Sequence, residues 1–545
     1  TMGACTGCPG GLLVTNTNTG KTFCSIQAAI DDVTTLSGHV ILVSAGTFTE
    51  DVLITKSLTL KGANAGIACG DGARGAETII QPATSGQTPI RLSGYGISDN
   101  VTIDGFEITG PGSNYGIYAG ADGASGLTII NNNIHDIGTL RGSGNVHGIN
   151  FRVNNPSPSN ITIEDNCITD VLNDTNIALG NSAGIWVGQS TANGIVTNLS
   201  IKRNKINNIK SYASGKSSAG ITIEAAWGAG TGGVQASEIE YNDITNIIGI
   251  NSNAFAINLA GKTPDGATVK NNYVNSVTST AGTAVGVAVA STNTGTADIK
   301  VNENSFTNMT VAIGNATGIS FDAECNWYGF TDHASVAGKI LGVVDYISWL
   351  VSGTDNNGLT YGFVPGALAC SGTPIVINLV TTTSQTCGVS NGSIEVTFSG
   401  GTAPYGISWT GPSNGNASGI TSPYTISSLA AGTYSFTITD ANSSTVTGNG
   451  TVNLLPVTNI TQSTYHATIQ AAIDAATAGD VIEICSGTYT ENAIVNKSLT
   501  IDGAGSTCGG VVIEGGGSLA YGFRIPAGVE DVTIQDVTIQ NTVGT

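Results

Sequence analysis

The sequence predicts an all-β chain made of a solenoid of short strands, a small sandwich, and the opening of a second solenoid. Three observations carry this. A phrase of fixed skeleton recurs as LTIINNNIHDI, ITIEDNCITDV, LSIKRNKINNI, SEIEYNDITNI and ATVKNNYVNSV between Leu127 and Val277. Only 10% of residues are charged while Gly reaches 75 of 545, a balance that suits tight turns and disfavours helical bundles. Finally, the phrase that opens the first solenoid is written again after the sandwich.

Aligned from their first residues, the five copies carry an apolar residue third, an asparagine sixth, and apolar residues eighth and eleventh. The steps between them are 34, 38, 38 and 30 residues. Constant strand chemistry with variable spacing means stacked coils whose loops differ, because insertions leave through turns without disturbing the core. VTIDGFEITG at 101–110 is a weaker copy before the array, and IKVNENSFTNM at 299–309 continues it. Within each copy the first residues alternate, as in Thr162, Ile163 and Glu164, with the aliphatic one inward. The asparagines, Asn132, Asn166, Asn204, Asn242, Asn272 and Asn304, are placed at the corner and assigned a left-handed conformation, which Asn tolerates. Stacked at the strand spacing of about 4.8 Å, their amides form a structural hydrogen-bonded ladder, not a binding site.

This pattern resembles the right-handed parallel β-helix of the pectin-lyase-like superfamily over roughly residues 25–345. The resemblance implies the fold and leaves the chemistry open, because that superfamily holds lyases, hydrolases, epimerases, tailspikes and adhesins.

In chain order, residues 1–24 read as a lead-in from a preceding module. SIQAAIDDV at 25–33 spaces Ile26, Ala29, Ile30 and Val33 as one face of a short helix capped by Ser25. Such a helix covers the open end of a solenoid and suppresses edge-to-edge association. Coils then run to ISFDAECNWYG at 319–329, where Trp327 and Tyr328 close the stack; the Cys-Asn-Trp-aromatic-Gly phrase resembles the ending of bacterial members of the superfamily. Residues 346–380 lose the period and read as a connector.

From 381 to 455, short alternating strands broken by GG, AP and AG turns give an immunoglobulin-like sandwich with Trp409, Tyr434 and Phe436 in its core. GGTAPYGISW and LAAGTYSFTITDAN resemble the SprB-type repeats of giant gliding adhesins of Bacteroidota. That family has a further cysteine after the Asp-Ala-Asn phrase. Ser443 and Ser444 stand here instead, so the resemblance implies a different partner for Cys387, with Cys370 as the candidate. Residues 456–545 restate the first solenoid: TIQAAIDAATAGDVIEICSGTYTENAIVNKSLTIDGAG matches the cap helix and first coils. The expectation is a longer natural polypeptide of tandem solenoid and sandwich modules.

The formal charge of −20 argues against nucleic acid and anionic membranes as partners and is compatible with calcium. No run of 18 apolar residues is present, so no membrane insertion is expected. The ten cysteines suit an oxidising, extracellular compartment. Their pairing is not deducible from spacing: Cys5 and Cys8 point to a disulfide and not to zinc, Cys167 reads as a small buried apolar residue, and Cys485 and Cys508 are candidates for a staple in the second solenoid.

Catalysis on such a fold needs clustered acids, bases and cations on one sheet face. The densest candidate is Arg141, His147 and Arg152, with His135 and Asp136 one coil earlier; VHG at 146–148 resembles a His-Gly element of polygalacturonases, but the rest of that pattern is missing. YGFRIP at 521–526 matches only half of an epimerase phrase. Asp355, Asn356 and Asn357 before Gly358 give part of a calcium loop, but the spacing is incomplete and an ordinary Asx-rich turn is the favoured reading. The leading expectation is a structural and adhesive segment of a long secreted surface fibre that contacts other cells, prey or surfaces. The SprB resemblance implies export by the type IX pathway, and the repeated modules suggest a homo-oligomeric filament. A polysaccharide lyase or hydrolase and a noncatalytic module that binds surface glycans are the competing readings.

Overall fold

The computed structural model describes residues 7–70, 72–92, 99–120, 124–138, 144–153, 157–173, 180–189, 195–224, 233–260, 267–291, 298–356, 361–366, 370–503, 510–515 and 520–543. The chain forms two compact units, Thr1–Thr373 and Pro374–Thr545.

In the first unit every coil gives one strand to each of three sheets, which hold 11, 9 and 10 strands among the described residues. Coil-to-coil pairing is parallel, as in a β-helix, so equivalent residues stack in register. Ile129, Ile163, Ile201, Ile239 and Val269 form one column, from the third position of the repeated phrase. Ile134, Ile168, Ile206, Ile244 and Val274, from the eighth position, form the second. Ile117, Ile149, Ile185, Ile221, Ile257 and Val287 form the third. All these side chains are fully buried in one continuous core, and each is worth about 1.5–3 kcal/mol of transfer free energy.

The corner between the first two sheets departs from expectation in one respect. The left-handed residue is the one before each ladder asparagine: Asn131, Asp165, Arg203, Tyr241, Asn271 and Glu303 all have φ between 53° and 58°. The ladder asparagine explains why residues as bulky as Arg203 and Tyr241 accept that conformation. Asn204 Nδ2 donates to Lys202 O (3.1 Å), to Ile163 O one coil back (2.8 Å) and to Asn242 Oδ1 one coil ahead (3.0 Å). Its Oδ1 accepts from the backbone N–H and the side-chain amide of Asn166. Asn166, Asn242, Asn272 and Asn304 repeat the coil-to-coil bonds, Asn132 begins the ladder with its Oδ1 accepting from Phe106 N, and Asn326 extends it, accepting from Asn304 N and Nδ2 at 2.9 and 3.0 Å.

The cap helix spans Ile26–Asp31 and buries Ile26, Ala29 and Ile30. Ser25 accepts from Ala28 N, and the Glu50 carboxylate accepts from Ile26 N and Gln27 N at 2.9 and 3.0 Å. Lys56 Nζ donates to Ile30 O and Asp32 O at the other end. Charge of the right sign thus sits at each helix terminus. Val33 is not part of the buried face; the helix has ended and its side chain is 89% exposed.

Residues 346–380 are not a connector. Trp349 is buried in the solenoid core, Trp349–Leu350 pairs with Cys370–Gly372, and the residues up to Thr373 group with the first unit. Val376–Thr383 is already a sandwich strand. Within this stretch the described residues 361–366 form part of a strap packed along the solenoid corner. Tyr361 and Phe363 are buried, with the Tyr361 hydroxyl accepting from Gly70 N and Phe363 N donating to Asn271 O. A second excursion, at 62–77, covers the earlier corners. Arg74 pairs with Glu77 at 2.7 Å and donates to Ile67 O and Asn131 O, while Cys69 N donates to Asp165 O.

The disulfides are Cys8–Cys24, Cys69–Cys167, Cys325–Cys370 and Cys387–Cys485. Cys167 is therefore a cross-link and not a free apolar residue, Cys370 pairs with Cys325 and not with Cys387, and Cys485 takes Cys387. Cys5 and Cys508 lie outside the described residues. Two of the bridges sit beside ladder asparagines, at Cys167 and Cys325, and tie an excursion to its corner.

In the second unit a three-stranded and a four-stranded antiparallel sheet enclose Ile394, Val396, Phe398, Ile407, Tyr434, Phe436 and Ile438. Tyr434 and Phe436 are fully buried, whereas Trp409 packs at the margin. The second solenoid repeats the first one's opening in atomic detail. Helix Ile469–Ala475 is capped by Thr468, the Glu491 carboxylate accepts from Ile469 N and Gln470 N, and Lys497 donates to Ile473 O, Asp474 O and Ala476 O.

Candidate functional site

The third sheet contains a second recurring phrase that sequence reading missed: YGI at 115, HGI at 147, AGI at 183 and 219, FAI at 255, VGV at 285 and VAI at 311. The middle residue is always Gly or Ala, and the register explains it. His147 pairs with Ala183 and Ile149 with Ile185, so Gly148 lies opposite Gly184 with no change of register. It points to the core together with Ile149. A Cβ on Gly148 would lie 2.8 Å from Gly184 O and 2.5 Å from Ile168 Cγ2. Because two successive residues face inward, the residues on either side of them, three apart, share the outer face.

That geometry assembles a cluster across three coils. Tyr115 and Tyr118 stack at 5.1 Å, Tyr115 lies 5.5 Å from His147, and His147 stacks on Trp186 at 5.6 Å. Asn150 sits between Tyr118 and Trp186 in the register, with its Nδ2 at 2.6 Å from His147 Nδ1. Trp186 Nε1 donates to Glu224 Oε2 at 2.8 Å. Since the Asn150 amide donates to Nδ1, the imidazole carries its proton on Nε2. Burial pushes the His147 pKa down to about 3, so the ring is neutral near pH 7. His147 Nε2, Asn150 Oδ1 and Arg152 Nε are buried and have no hydrogen-bond partner among the described residues. In this aromatic slot His147 lies between the rings of Tyr115 and Trp186, and two donors and one acceptor of its strand are buried without partners.

Of the residues singled out in the sequence, His147 and Arg152 share the strand Val146–Val153. Arg141 lies outside the described residues. His135 and Asp136 belong to the second sheet, where His135 bridges Glu107 (3.2 Å) and Asp136 (2.7 Å); those hydrogen bonds raise its pKa against the opposing effect of burial. A neutral imidazole with a pKa near 3 is a weak base at pH 7 and holds no second proton to give, which is unfavourable for acid–base chemistry.

Asp355 accepts from Val364 N at 3.0 Å in the strap, while Asn357 and Gly358 lie outside the described residues. Among the described residues no group of three or more His, Cys, Asp or Glu side chains is gathered in metal-ligand fashion. A groove of about 540 Å³ is lined by Thr278, Ser279, Thr283, Asn308, Met309 and Thr310 among others and holds no charged side chain. The aromatic slot is the richer chemical feature.

Residues 379–414 match the SprB repeat family. A cell surface glycoprotein of Methanothermus fervidus is 39% identical over 130 residues, covering 24% of this chain and 18% of that protein. The chain thus spans less than a fifth of the length of the curated relative it matches. No solved structure matches the chain.

Proposed function

We propose that the chain is a structural and adhesive segment of a long surface protein. The observation that carries this is the pairing of two surface-type matches, the SprB repeat and the cell surface glycoprotein, with a large β-rich architecture. At the coarser level the chain is a surface-associated, adhesin-like protein. Among the described residues no helix is long and apolar enough to cross a membrane. The finer reading is secretion, by resemblance through the type IX pathway, followed by display as a laterally associated fibre that contacts other cells, prey or solid surfaces. Solenoids suit such a task because each coil adds length while contacting only its neighbours. Lateral association multiplies weak contacts into avidity. Calcium bridging between acidic faces belongs to this proposal, as a way to offset a charge of −20. Electron microscopy of the full-length protein with and without calcium tests it: multi-chain filaments support association, and isolated chains at high protein and calcium concentration contradict it.

The aromatic slot supports a second reading, noncatalytic glycan binding. Stacked rings beside partnerless donors and an acceptor are the elements that hold a sugar ring. Retention of the full chain on immobilised polysaccharides, lost in Trp186→Ala and without release of reducing ends, supports this reading. Robust release of reducing ends abolished by His147→Ala supports a lyase or hydrolase instead.

A further inference from the structure

The corner where the chain passes from the third sheet to the first is distinct from the ladder corner, and its residues stack as regularly. Thr102, Thr128, Thr162 and Ser200 pair coil to coil in the first sheet, so the residues two before them, Asn100, Gly126, Asn160 and Asn198, occupy one corner position. All four are left-handed, with φ of 55°, 69°, 58° and 54°. The backbone here is tied to the following coil: Asn100 N donates to Ser125 O at 2.7 Å and Gly126 N to Ser159 O at 2.8 Å. The three asparagines are exposed.

Each of them stands two residues before a hydroxyl, as Asn100-Val101-Thr102, Asn160-Ile161-Thr162 and Asn198-Leu199-Ser200. The middle residue of each phrase is buried in the solenoid core, which leaves the amide and the hydroxyl on the outside. Asn-x-Ser/Thr is the acceptor phrase for N-linked glycans on exposed parts of secreted proteins. The same phrase also occurs where the fold itself consumes the amide, as Asn315-Ala316-Thr317 and Asn459-Ile460-Thr461. Asn315 and Asn459 are only 6% and 0% exposed. Their Nδ2 atoms donate to Ile319 O at 2.7 Å and to Asp480 Oδ2 at 2.8 Å. The phrase is thus common to both groups, and exposure separates them.

We propose that this corner is a glycosylation rib, carrying N-linked glycans at Asn100 and at one of the pair Asn160 and Asn198. The inference rests on the export that the surface reading requires. In the transfer, Asn Nδ2 bonds to the anomeric carbon of an oligosaccharide delivered on a polyprenyl-phosphate carrier. The bond from that carbon to the carrier oxygen breaks, the carrier leaves with its phosphate, and one amide proton is released. A modified amide keeps one N–H and its oxygen, so the 3.1 Å bond from Asn198 Nδ2 to Asn160 Oδ1 survives. Asn160 and Asn198 lie one coil apart, about 4.8 Å, too close for two bulky chains side by side. Asn100 lies two coils from Asn160, with Gly126 between them. That glycine gives the first acceptor its space, because a Cβ on Gly126 would collide with Asn100 Oδ1. A hydrated, bulky rib keeps this edge out of lateral contacts between chains and leaves the sheet faces for them.

Mapping of intact glycopeptides tests the rib, on native protein biotinylated at the surface of source cells, captured, digested and sequenced by electron-transfer fragmentation. Peptides with Asn100, and with Asn160 or Asn198, are expected to carry a saccharide mass on the asparagine, and those with Asn315 and Asn459 to be bare. Expressed in the source organism, Thr102→Ala is expected to abolish the saccharide at Asn100 and Thr102→Ser to keep it. Biotinylated protein that is bare at Asn100, Asn160 and Asn198 overturns the proposal and leaves the surface reading standing. Equal occupancy at Asn315 and Asn459, or a saccharide that persists at Asn100 in Thr102→Ala, also overturns it. Protein found only inside the cell and unmodified overturns the surface reading and the rib together.

Discussion

Replacing Asn204 by Ala removes the centre of the ladder and leaves every aliphatic column intact. Five contacts go: the three donated to Lys202 O, Ile163 O and Asn242 Oδ1, and the two accepted from Asn166 N and Nδ2. Asn242 Oδ1 keeps the Asn204 backbone N–H at 3.0 Å, but the buried Asn166 N–H loses its acceptor. An orphaned buried donor costs about 1–3 kcal/mol, and the net worth of the other bonds brings the total to about 3 kcal/mol. Asn204→Asp is expected to be worse, at about 4–5 kcal/mol near neutral pH. It keeps the volume but turns an amide nitrogen into an oxygen facing Ile163 O, Lys202 O and Asn242 Oδ1, and it buries a charge. It should recover in acid, where the protonated carboxyl donates again. The assay is urea unfolding of the full chain, with native-state hydrogen exchange over residues 161–209 to localise the loss. An Ala variant within about 0.5 kcal/mol of wild type, or an Asp variant no worse than Ala, would refute the ladder as a source of stability.

Four further outcomes are expected. Glu50→Ala should cost about 1–2 kcal/mol by exposing the cap-helix amides, and Glu491→Ala should do the same in the second solenoid, both read as shifts in the urea midpoint. Because burial depresses the His147 pKa to about 3, its contribution is complete above the unfolded value and is lost as pH falls from about 6.5 to 3, by about 1.4 kcal/mol per unit; His147→Gln should abolish that slope in acid titrations of stability. Peptide mapping without reductant should recover the pairs Cys8–Cys24, Cys69–Cys167, Cys325–Cys370 and Cys387–Cys485. Cys167→Ser should cost about 3–5 kcal/mol through release of a loop of 98 residues, measured by thermal unfolding.

The coils were legible because one phrase carries both the strand alternation and the corner, and stacking leaves no freedom once the core positions are known. Asn326 was within reach on the same grounds: it stands sixth from Phe321, as the other ladder residues stand in their phrases. The left-handed position was misplaced by one residue because local propensity favours Asn at such a φ, whereas at Arg203 and Tyr241 the ladder hydrogen bonds override propensity. The third-sheet phrase was also written in the sequence, as a small residue before Ile or Val, but its spacing looks like loop glycine until the coil-to-coil register is seen. The strap was out of reach: Tyr361 meets Gly70 across 291 residues, and nothing local to either position encodes the other. Disulfide pairing failed for the same reason, since Cys167 and Cys325 are paired by where the excursions land. In the candidate slot, the sequence marked His147 and Arg152 for their chemistry but not Tyr115, Tyr118, Asn150 and Trp186, which join them only because two successive inward residues put positions three apart on one outer face.

The role proposed for this segment is that of a contact element working at a surface. Fab fragments raised against the folded first solenoid test it most directly, applied to intact cells of the source organism in an attachment assay under flow. The fragments are expected to label the outside of intact cells and to reduce attachment in proportion to labelling. Intact cells that remain unlabelled, or attachment unchanged at saturating label, would contradict it.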